Sequence, residues 1–134
     1  MTTAKTITVK KPTTVKVGAL TYTVHWTAEE WLDRPDVGRE EGDWALTNHP
    51  KLGIWIWPEL EEQNKRQSLL HECLHTLFAS SGADVRNSIN GAGDGFDVEE
   101  YTISRLESPL MSLLIDNPEV VAYIMIGETS AGVG

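Results

Sequence analysis

His71-Glu72-Cys73-Leu74-His75 sets two imidazoles four residues apart, with a carboxylate directly after the first. On a helix, positions four apart share a face, so both rings project side by side. Such a pair can hold one zinc ion between them. Glu72 can then reach a water on that ion without ligating it, which is the placement of a general base for hydrolysis. The flanking residues favour a helix. Leu69, Leu70, Cys73, Leu74, Leu77 and Phe78 give a broad apolar surface, and no Pro or Gly interrupts residues 59–81. The plain alternative is two histidines packed in a helix, one of them paired with a carboxylate. Two His and a Glu on a half-buried helix carry a burial cost that a metal offsets.

Several elements must position this helix. Residues 1–6 read as a frayed start. Ile7-Thr-Val-Lys10 and Thr14-Val-Lys-Val17 alternate apolar and polar, and Gly18 to Trp26 reads as a longer strand with Leu20, Tyr22, Val24 and Trp26 on one face. His25 falls on the opposite face as a solvent-exposed strand residue. Thr27 with Glu30 forms a capping box for one or two helical turns. Residues 34–42 are charged and read as a loop. Residues 43–47 and 52–57 form a hairpin around the turn Asn48-His-Pro-Lys51, with His49 a turn residue and not a ligand. Ile54 and Ile56 share one face of its second strand. Trp55 and Trp57 share the other, which is either covered or held open for a ligand. The motif helix is expected from Glu59, with a stop at Ser80-Ser-Gly82. Residues 84–97 are Gly-, Asn- and Asp-rich and match neither a phosphate loop nor a calcium loop. A second helix opens with Asp97 as N-cap and Glu100 at the capping-box position, and Pro109 should kink it. Asn117-Pro118 restarts a helix, Asn as cap and Pro as first residue. Residues 128–134 read as a loose tail.

A catalytic zinc takes three protein ligands plus water. Glu99 precedes Ile103, Leu106, Leu110 and Leu113 at helical spacing, so it sits on the apolar stripe of the second helix, where an unpaired carboxylate is costly. Glu100 fits the stripe less well and already has a capping role. Glu99 is the expected third ligand and Glu100 the alternative. Cys73 points away from the face shared by His71 and His75 and reads as a buried thiol.

The pair His71/His75 followed by Glu99 in a later helix resembles the gluzincin metallopeptidases, in particular small phage-borne members akin to the minigluzincins and the ImmA/IrrE-type peptidases. The resemblance spans roughly residues 42–126: an Ile-x-Ile strand, Leu69-Leu-His-Glu-Cys-Leu-His75, then Glu99-Glu100, Arg105-Leu106, Leu113-Leu and Asp116-Asn-Pro118. It implies an α+β fold. A small twisted, largely antiparallel sheet packs on the zinc helix and on a second, C-terminal helix pair. It also implies peptide hydrolysis, with a peptide or protein as substrate. No His follows His75, and no Asn-Glu-x-x-x-Asp motif follows the helix, so no carboxylate is assigned to orient a ligand histidine. Strand 53–57 is the candidate for holding substrate as an added strand. Tyr101 is a candidate oxyanion stabiliser, with a packed tyrosine as its ordinary reading.

Length and charge bound the rest. At 134 residues the chain is one domain, residues 1–134. A net charge of −9 without a Lys/Arg cluster argues against nucleic acid or a membrane surface as partner. The first residues carry no apolar h-region, and the single cysteine fits a reducing compartment, so a cytoplasmic protein is expected, in a bacterial host if phage-encoded. The competing function is a non-catalytic phage structural or assembly protein that keeps the fold and a structural zinc. Closed structural sites need four ligands, and four are not evident.

Overall fold

Alternating valines build the first strands. β1 is Thr14–Val17 and β2 is Leu20–His25, paired antiparallel. Gly18 makes the turn between them with φ +60, a left-handed conformation that a side chain disfavours. The computed structural model describes residues 8–35, 44–81 and 98–129. The expected Ile7, the loop at 36–43, Gly82, the glycine-rich loop to Asp97 with its cap, and the tail at 130–134 lie outside these residues. Residues 8–12 form no strand, although Val9 is buried. The Val9 N–H donates to Thr129 Oγ1 at 2.9 Å, and the Thr129 N–H donates to the Val9 carbonyl at 3.0 Å. Thr129, expected in a loose tail, is therefore tied down.

α1, Ala28–Leu32, carries both bonds of the expected capping box at Thr27. β3, Ala45–Asn48, and β4, Gly53–Ile56, form the expected antiparallel hairpin. Three helices follow: α2, Glu62–Ser81; α3, Val98–Asp116; and α4, Pro118–Ile126. α2 starts three residues later than Glu59, because residues 58–60 turn first and bury Leu60.

The strand order is β1-β2-β4-β3. Two pairings are antiparallel and the central one, β2 with β4, is parallel. The fold is α+β, an open four-stranded sheet with four helices among the described residues. β4 is central and buried at every position, so it has no edge to offer a substrate strand. Among the described residues, the sheet edge beside α2 belongs to β3.

One face of the sheet carries Val15, Val17, Tyr22, Val24, Ile54 and Ile56 into a single core with Leu69, Cys73 and Leu77 of α2 and with Leu113, Val120 and Tyr123. Leu69, Cys73 and Leu77 are one helical stripe, spaced by four. Leu70 and Leu74 project away and are exposed. On the sheet's other face, the His25 ring stacks on Trp55 with centroids 4.5 Å apart, and His25 Nδ1 bonds the Glu30 carboxylate. His25 is half-buried there because α1 covers that face, which also answers what Trp55 packs against. Burial alone would raise the Glu30 carboxyl, but the bonds from His25 and Thr27 outweigh it and hold the group below its ordinary value.

Pro109 lies inside an unbroken α3. The bend of 90° comes instead between α3 and α4. Asn117 at that bend makes no side-chain cap bond. Its amide reaches edge strand β1: Oδ1 accepts the Lys16 N–H at 2.7 Å, and Nδ2 donates to the Lys16 and Leu113 carbonyls, each at 2.8 Å. The side chain completes the edge as a neighbouring strand would, which outcompetes a cap bond. Asn117→Ala strands these buried groups and should cost about 2–3 kcal/mol. Urea unfolding should show a lower midpoint with unchanged slope. Asn117→Asp should fare little better, because a carboxylate cannot donate to either carbonyl.

No single helix among the described residues is long and apolar enough to cross a membrane.

Candidate metal centre

α2 is the helix against which β1, β3, β4, α3 and α4 all pack. Its buried stripe fixes its rotation, and that rotation turns His71 and His75 outward beside β3. Their Nε2 atoms lie 3.1 Å apart, with ring centroids at 4.8 Å. Two imidazole nitrogens on one tetrahedral zinc, each at about 2.0–2.1 Å, are about 3.3 Å apart. The same separation also suits an N–H···N bond between the rings. With Glu72 the pair forms a donor group whose ligand atoms all lie within 4.8 Å of one another. This His-Glu-His group could hold a metal ion, and its two histidines are the pair that the spacing predicts.

Glu72 is 5 % exposed, in contrast to the two histidines. It is held by Thr47, whose hydroxyl donates to Oε2 at 2.5 Å. The register explains the contact. Thr47 pairs with Ile54, which pairs with Val24. This row faces α2, and at the sheet edge a threonine stands where the inner strands carry aliphatic residues. The Glu72 carboxylate is therefore anchored by the edge strand and not by its own helix.

Ala45, Leu46, Thr47, His49, His71, Glu72 and His75 line a cavity of about 270 Å³. A larger hollow of about 760 Å³ lies between residues 8–14 and the start of α4. It has no cluster of histidine, cysteine or carboxylate groups, so the chemistry belongs to the smaller cavity. Thr47 and His49 were not singled out by spacing. The only sequence signal for them is their place on the hairpin just before the motif helix.

Cys73 is a free, buried thiol, turned into the core as expected. Burial, then the neighbouring Glu72 carboxylate, push it up to about 12, so it stays protonated and supplies no thiolate ligand. Glu99 lies on the exposed first turn of α3 and is not in the His71–Glu72–His75 group. The stripe assigned to it is buried only further along: Ile103 is 50 % exposed, Leu106 and Leu110 are partly buried, and Leu113 is buried. Glu100 accepts the Ser104 hydroxyl at 3.2 Å. Tyr101 lies under the Arg105 guanidinium, 5.2 Å from ring centre to Cζ, and does not line the cavity.

No protein-family model matches this chain, and no curated protein or solved structure matches it.

Proposed function

We propose that this chain is a zinc-dependent, gluzincin-like peptidase. His71 and His75 are metal ligands, Glu99 is the third ligand, and Glu72 is the general base. The observation that supports this reading is the join of three features: paired Nε2 atoms 3.1 Å apart, a buried carboxylate beside them, and the outermost of the described strands lining the same cavity. A zinc ion held by His71, His75 and Glu99 would polarise a carbonyl oxygen and lower the pKa of water to ~7. Glu72 accepts the proton of the attacking water and passes it to the leaving amine. The Thr47 hydroxyl occupies one side of that carboxylate and fixes its plane. A peptide adds to β3 as a further strand, and its backbone bonds run along Ala45–Asn48 beside the cavity. β3 takes the role first expected of strand 53–57.

Digestion of a mixed peptide library, read by mass spectrometry, tests the reading. Cleavage products that vanish with chelator and return with zinc are the expected result. The ligand assignment has its own test. Glu99→Gln should weaken zinc binding at least tenfold, while Glu100→Gln should leave it nearly unchanged and cost at most ~0.5–1 kcal/mol in the first turn of α3. The reverse ranking in zinc titrations moves the ligand to Glu100.

One observation favours a second reading, a non-catalytic phage assembly protein that keeps only the fold: Glu99 stands outside the donor group, so neither three nor four ligands are assembled among the described residues. Such a protein has no use for a positioned base, so the fate of Glu72 separates the two.

A further inference from the structure

His49 opens the turn between β3 and β4 and lines the cavity shared by His71, Glu72 and His75. It is not a member of the donor group those three residues form. A donor that bonds an oxygen atom adjacent to a metal ion sits about 4–5 Å from that ion, too far to ligate it yet inside the same cavity. His49 lines the cavity without joining the donor group, as such a donor must.

Its ring is held from behind. Nδ1 lies 3.0 Å from the Tyr22 hydroxyl, and the two rings meet edge-on. The turn is fixed as well. Asn48 Oδ1 accepts the Lys51 N–H at 2.9 Å, and the His49 carbonyl accepts the Leu52 N–H at 3.1 Å. Leu52 closes the turn at φ 52, a left-handed conformation that a non-glycine residue disfavours.

The tautomer follows from Tyr22. Its side chain is buried, and burial raises the phenol above its ordinary pKa, so it keeps its proton. A buried hydroxyl proton needs an acceptor, and His49 Nδ1 is the one in contact. Nδ1 accepting leaves the imidazole proton on Nε2, the nitrogen that Tyr22 does not occupy.

We propose that His49 is a substrate-contacting residue whose Nε2–H donates to a carbonyl or anionic oxygen of the group held beside His71 and His75, with Tyr22 as its positioning residue. This inference rests on the peptidase reading and extends it, giving the site its electrophilic donor from the hairpin turn. Donors of this kind are worth about 10²–10³ in rate when they face a developing oxyanion.

The test uses the cobalt-loaded full-length chain and acetohydroxamate as probe, read by the visible cobalt spectrum and by titration. His49→Ala should take up cobalt as tightly as wild type but bind acetohydroxamate at least tenfold more weakly. His49→Phe, which fills the ring volume without a donor, should behave alike and serves if alanine loosens the turn. His49→Gln, whose amide N–H replaces Nε2–H, should recover most of the affinity. Tyr22→Phe should show a smaller loss. Equal hydroxamate affinity in wild type and His49→Phe overturns the proposal. So does loss of cobalt in both His49 variants, which makes His49 a ligand. A wild-type chain that takes up no cobalt overturns the proposal together with the peptidase reading beneath it.

Discussion

Glu72→Gln should retain zinc and fold while losing peptide cleavage by ~10²–10⁴-fold, the range of a general-base contribution. Glutamine is nearly isosteric and can still accept the Thr47 hydroxyl bond, so the anchoring contact survives. What it cannot do is take up a proton. Zinc content and thermal midpoint should match wild type, which confines the loss to the chemical step. Thr47→Val should reproduce part of the loss by freeing the carboxylate to adopt other orientations, again without loss of zinc. Single-turnover cleavage of a peptide found in the library screen is the measurement. Equal cleavage by wild type and Glu72→Gln contradicts the assignment of the base.

Zinc should also stabilise the chain strongly. A ligand that binds only the folded state adds about 2.7 kcal/mol at a concentration one hundred times its dissociation constant. For a domain of this size that is a rise on the order of 10 °C in Tm. His71 and His75 sit on the outer face of α2, so their removal does not open the core. His71→Ala should therefore unfold near the midpoint of stripped wild type and show no rise with zinc. Calorimetry with and without chelator checks this. A shift of equal size in His71→Ala places the ion elsewhere.

Local patterns carried much of the architecture. The capping box at Thr27, the hairpin around 48–52, the buried Cys73 and the shared face of His71 and His75 each depend on residues within one turn or one strand pair. Contacts between distant segments were not readable in the same way. The parallel pairing of β2 with β4 depends on a crossover, and nothing in the alternation of either strand specifies its neighbour. Asn117 looked like a cap because of the proline after it, yet its amide satisfies β1, 101 residues away in the chain. The apolar spacing of α3 implied a buried stripe along its length, but its first turns project beyond the core, and so Glu99 is exposed. Thr47 and His49 enter the site only because β3 is the sheet edge next to α2. Edge position is a property of the assembled sheet and not of the strand.

Zinc titration of the stripped chain, wild type beside the His71→Ala/His75→Ala double variant, tests the metal centre most directly. Wild type should bind one zinc ion tightly and release it to chelator, while the double variant should show no tight binding. Tight binding of equal stoichiometry in the double variant, or none in wild type, contradicts a metal centre at His71 and His75.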